Sequence, residues 1–138
     1  MTTYESELKT ISSSGEMVFN ILSDLNNLQK LASSPVFSEK AKDMIFDADS
    51  CSFAVDGFGR VGFRILERIP HSLIKMTSDN APVSISVNVL IEPLTENECT
   101  MKLVLFAELP AMIKMMLGSK LQDGVNAIAD LLAKTLDK

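Results

Sequence analysis

The chain has 138 residues, 46% of them hydrophobic, and a formal net charge of −5. Its length predicts a single domain over 1–138, and its composition excludes a disordered chain. The acid excess argues against the clustered basic surface that nucleic acid requires, and no apolar run reaches the roughly 18 residues that a membrane-spanning helix needs.

Met1 to Glu7 has neither the basic nor the apolar stretch of a secretory signal, so the expected compartment is the cytoplasm. From Glu5 to Ile11 a first strand is predicted, with Tyr4, Ser6, Leu8 and Thr10 alternating against Glu5, Glu7 and Lys9. Ser13 and Glu16 then stand at the spacing of a capping box, and Met17, Val18, Ile21 and Leu22 follow at helical spacing. Asp24 is placed to cap a second short helix carrying Leu25, Leu28 and Leu31. A polar loop containing Pro35 is expected from Ser33 to Lys42.

Beyond the loop the period becomes two. Met44, Phe46 and Ala48, then Cys51, Phe53 and Val55, alternate with polar residues, and Asp56 to Gly59 reads as a tight turn. In the next strand Val61, Phe63 and Ile65 share one face, while Gly62, Arg64, Leu66 and Arg68 share the other. Pro70, His71 and Ser72 turn the chain into a strand from Leu73 to Ser78. After a turn through Pro82, residues Val83, Ile85, Val87, Val89 and Ile91 alternate with Ser84, Ser86, Asn88 and Glu92. That pattern fits one buried and one wet face. A last strand carries Met101, Leu103 and Leu105.

Pro110 opens a long C-terminal helix whose stripe is Leu121, Val125, Ile128 and Leu132. At about 100° per residue Met112, Met115 and Met116 fall off that stripe and Lys114 falls on it. A kink or break at Gly118 is therefore expected, with the methionine segment as a flap over one mouth of the sheet or as a seam of a homodimer.

Consecutive strands joined by short turns make an antiparallel meander, and its apolar face must be covered. The C-terminal helix is the one element long enough. The expected class is α+β: a helix-grip fold, with a seven-stranded curved antiparallel sheet, two short helices after the first strand and a long C-terminal helix.

This order resembles the START and birch-pollen-allergen superfamily, also called polyketide cyclase/dehydrase-like or SRPBCC proteins. The resemblance is carried by Tyr4-Glu5-Ser6-Glu7 to Ile11, by Ser14-Gly15-Glu16-Met17-Val18-Phe19, and by Leu22-Ser23-Asp24. It implies a cavity between sheet and helix for a lipid, sterol, polyketide or aromatic molecule. The fold alone does not choose among functions.

The inward positions predicted to line that cavity are Phe63, Ile65, Ile74, Met76, Ile85, Val87, Val89, Met101, Leu103 and Leu105, with Met112, Met116 and Leu117 at its mouth. Glu67 continues the inward face of its strand and is the candidate carboxylate for gripping a ligand or for acid/base work, unless a bulge intervenes. His71, the only histidine, sits in a tight turn, a poor place for a general base. Asp43, Asp47 and Asp49 lack the spacing and glycine turn of a calcium loop and read as a solvated strand face. Cys51 and Cys99 form no CxxC pair and are expected as free thiols.

No catalytic residue, metal site or cofactor is assigned. The leading expectation is a non-catalytic binder or carrier of a small apolar ligand, without nucleic acid or stable membrane insertion. The alternatives are a cyclase- or hydrolase-like enzyme and an interaction module with a filled core.

Overall fold

The computed structural model describes residues 2–27, 41–55, 59–79 and 84–136. Eight strands make one antiparallel sheet: β1 (Thr2–Glu5), β2 (Lys9–Ile11), β3 (Ala41–Phe46), β4 (Ser50–Val55), β5 (Gly59–Ile69), β6 (Leu73–Asp79), β7 (Ser84–Thr95) and β8 (Glu98–Glu108). The strands from β8 back to β3 lie in reverse chain order, and β1 and β2 both pair with β8 at the far edge. Helix α1 (Gly15–Leu22) packs on β6, β7 and β8, and helix α2 (Ala111–Leu136) packs on β1, β2 and β8.

The predicted first strand is two strands. Glu5 pairs with Val104 but Lys9 pairs with Met101, so three residues, Ser6 to Leu8, stand opposite two. One extra residue reverses the facing of everything after it. Tyr4 and Ile11 therefore both face the core, and Leu8 and Thr10 are exposed. Ser6 bridges the gap: its N–H donates to the Leu103 carbonyl at 2.8 Å, and its hydroxyl accepts the Leu103 N–H at 2.9 Å.

The capping position also moves by one residue. Ser14, not Ser13, is the N-cap of α1, and its hydroxyl accepts the Met17 N–H at 3.1 Å. Ser13 is buried and donates to the Leu136 carbonyl at 2.5 Å, tying the end of α2 to the start of α1. Gly15 follows because α1 comes down on β7 there, where a Cβ would lie 2.9 Å from the Pro93 ring. Of the second short helix the described residues hold one turn over 25–27, with the Asp24 carboxylate accepting the Asn26 N–H. Leu28, Leu31 and most of the expected loop lie outside the described residues, but its last two positions, Ala41 and Lys42, already belong to β3.

A ladder of polar contacts fixes α2 along β1 and β2. The Gln122 amide donates to the Glu5 carbonyl at 2.8 Å, the Asn126 side chain accepts the Glu7 N–H at 3.0 Å, and Asp130 pairs with Lys9. The spacing is physical. Four helical residues rise about 6 Å and two strand residues rise about 6.6 Å, so every fourth residue of α2 meets every second residue of the strand. The Lys9 ammonium holds the Asp130 carboxyl below its ordinary range.

Helix α2 runs without interruption through Gly118, so the expected break is absent. Gly118 instead makes room for Tyr4, whose hydroxyl would lie 3.3 Å from a Cβ at that position. That hydroxyl is buried and has no hydrogen-bond partner among the described residues. A buried donor left unpaired costs about 1–3 kcal/mol, so Tyr4→Phe is expected to leave urea stability equal or higher by about 1 kcal/mol. A loss of more than about 1 kcal/mol would show that the hydroxyl is bonded.

Candidate ligand-binding site

Between the sheet and α2 lies a cavity of about 250 Å³. Its position follows from the strand register. Side chains in register form rows across the concave face. Cys51 of β4 stands beside Phe63 of β5; Met76, Val87 and Leu105 make a second row; Ile74, Val89 and Leu103 make a third. These rows are the cavity floor. Val125, Ile128 and Leu132 of α2 form its roof, Leu22 and Leu25 close the α1 end, and Met44, Phe46 and Phe53 close the β3–β4 side. The Phe53 and Phe63 rings stack with centroids 6.1 Å apart.

The remaining rows are solid. Ile91 pairs with Met101, and Pro93 with Cys99. Ile91, Met101 and Cys99 are buried against Ile11 and Val18 in the continuous core. The cavity therefore lies at the end of the concave face away from β2, where the helix spans the sheet without filling the gap.

Among the described residues every side chain on the cavity wall is apolar or sulfur-bearing. Cys51 supplies the one thiol. Burial pushes that thiol above its ordinary pKa, so it is protonated at neutral pH. Both Cys51 and Cys99 are free, as the sequence predicts.

No protein-family model matches the sequence, and no curated protein matches it at a significant level. Solved structures do match. The chain is similar to norcoclaurine synthase from Thalictrum flavum, solved in complex with dopamine and hydroxybenzaldehyde, with TM-score 0.72 and 14% identity over 97% of this chain and 86% of that one. It is similar to a START superfamily protein from Mycobacterium smegmatis, with TM-score 0.59 and 14% identity over 94% of this chain and 98% of that one. A protein from Chromobacterium violaceum matches with TM-score 0.64 and 16% identity over 100% and 99% of the two chains. The fold is the START and birch-pollen-allergen fold. At these identities the likeness is one of fold alone.

Within the helix-grip cavity, seven predicted residues come together: Phe63, Ile74, Met76, Val87, Val89, Leu103 and Leu105. Ile65, Ile85 and Met101 pack into the core without lining the cavity. Glu67 is a correction. Ile65 pairs with Met76 but Glu67 pairs with Lys75, so Leu66 is a bulge and the strand reverses its facing. Glu67 points to solvent with a side chain 52% exposed, and its carboxylate lies 3.9 Å from the Lys75 ammonium. The acid/base role proposed for it loses its position.

The same bulge corrects Arg68. Expected on the outer face, it lies on the concave side with Ile74 and donates to the Ser23 carbonyl at 2.9 Å, while pairing with Asp49. It clamps the end of α1 to the β3–β4 turn. Arg64 stays outside, 3.0 Å from Asp79. His71 sits exposed in its turn at φ 62°, its ring edge-to-face with Phe19.

Met112 and Met116 are also corrections. They do not cover the cavity: Met112, Met115 and Met116 are 75%, 88% and 67% exposed. The side chain of Leu117 lies outside the described residues. Met44, Phe46, Cys51 and Phe53 on β3 and β4 were missed as wall residues. Their signal was present, since all four belong to the alternating apolar set of that hairpin. Val125, Ile128 and Leu132 are the stripe already read as the helix's buried face.

Proposed function

We propose that this chain binds a small apolar molecule in the cavity between the sheet and α2. The observation that carries the proposal is the cavity itself, about 250 Å³ with apolar walls. An apolar occupant would remove apolar wall surface from water, a gain of roughly 25 cal/mol per Å² buried. Apolar pockets hold ligands by shape and area, with orientation left to few polar groups. Nothing on the described wall is poised for proton transfer, which favours holding a ligand over transforming it.

An environment-sensitive apolar fluorophore should bind the folded protein saturably at one site, and its binding should raise the melting temperature. The absence of saturable binding across apolar probes of several shapes would favour an interaction module with a filled core.

A further inference from the structure

We infer that the group held in this cavity is uncharged, carries no hydrogen-bonding atom, and has the bulk of about two fused rings. The inference rests on the proposed binding function and narrows the class of ligand.

No described wall residue is a cation, amide or hydroxyl. Three polar side chains on or beside the strands that carry the wall are already engaged. Ser78 accepts the Ile85 N–H at 3.1 Å. Ser6 accepts from Leu103 and donates to the Glu7 carbonyl at 3.0 Å. The Arg68 guanidinium is held by the Ser23 carbonyl and Asp49. The Tyr4 hydroxyl has no partner among the described residues, but it is closed under α2 at Gly118 and is not on the described wall. A carboxylate or ammonium entering the cavity would lose its hydration and meet no partner on the described wall. A hydroxyl or amide would find no partner on that described wall.

An apolar cavity of roughly 150 Å³ takes benzene. The 250 Å³ here takes one more ring, and falls below the roughly 300–1,000 Å³ of pockets that enclose drug-sized ligands. A four-ring sterol frame is too large to be enclosed. The class is a bicyclic aromatic or terpene-like hydrocarbon.

The test is calorimetric titration of the full chain at pH 8 with naphthalene, 2-isopropylnaphthalene, 2-naphthoate and a sterol, alongside the apolar fluorophore. The two hydrocarbons should bind at one site and displace the fluorophore. 2-Naphthoate should bind at least about a hundredfold more weakly than its uncharged isostere, and the sterol should not compete. Naphthoate within tenfold of 2-isopropylnaphthalene would overturn the uncharged class, and a sterol binding as tightly as naphthalene would overturn the size. Fluorophore binding without hydrocarbon binding would also overturn the inference while leaving the binding function standing. No binding by any of the compounds would overturn both.

Discussion

Val89→Asp should abolish folding, whereas Asn88→Asp should leave the melting temperature within a few degrees of the parent. The two residues are neighbours on β7 and point to opposite faces of the sheet. Val89 is 5% exposed, in register with Ile74 and Leu103 on the cavity floor. An aspartate there would face an apolar wall with no cation or amide donor among the described residues. Burying an unpaired carboxylate costs several kcal/mol, a loss on the scale of the domain's whole stability. Asn88 faces outward in register with Lys75, and an aspartate there gains a cationic neighbour. Circular dichroism and thermal melts of the two variants read the contrast directly. Similar melts would contradict the facing of β7 and with it the location of the cavity.

Leu132→Ala should cost about 2–5 kcal/mol, and Met115→Ala no more than about 0.5 kcal/mol, in urea denaturation. Both residues lie on α2, 17 positions apart, and differ in what they touch. Leu132 is buried in the core and forms part of the cavity roof, so truncation enlarges a void already present. Met115 is 88% exposed. The pair also tests the continuity of α2. If the methionine segment folded down over the sheet as a flap, truncating Met115 would cost as much as a core residue and would alter the rates of ligand entry. Equal losses for the two variants would restore the flap.

The alternation of β7 was legible because Val89 and Ile91 are buried while Leu90 and Glu92 are exposed, and a period of two states that directly. The stripe of α2 was legible for the same reason at a period of 3.6. Three features were not. The bulges at Ser6–Leu8 and at Leu66 depend on how many residues the partner strand sets opposite, which the bulged strand's own pattern does not record. Glu67 therefore read as inward although it lies outside. The N-cap slid from Ser13 to Ser14 because adjacent serines offer the same hydroxyl, and the choice fell to Ser13's bond with the Leu136 carbonyl.

Gly118 misled for a different reason. Helical phase predicts a break only if every turn of α2 buries its apolar residues against the sheet. The first turns of α2 do not: Ala111, Met112, Lys114, Met115 and Met116 are all exposed. The methionines thus lie on the open side of a continuous helix, and the glycine serves the Tyr4 ring beneath it. Tyr4 is more than 100 positions away in the chain, so no local pattern could reveal the contact.

The most direct measurement of the central claim uses Cys51. Its thiol stands on the cavity wall, while Cys99 is sealed in the solid core. Alkylation of Cys51 by a small neutral reagent, followed by peptide mass spectrometry, reports whether the cavity is occupied. An apolar ligand should slow that reaction, with half-protection at the concentration that half-saturates binding, and a Cys51→Ser variant should lose the protectable site. Undiminished alkylation of Cys51 at saturating ligand would place the ligand elsewhere and contradict the account.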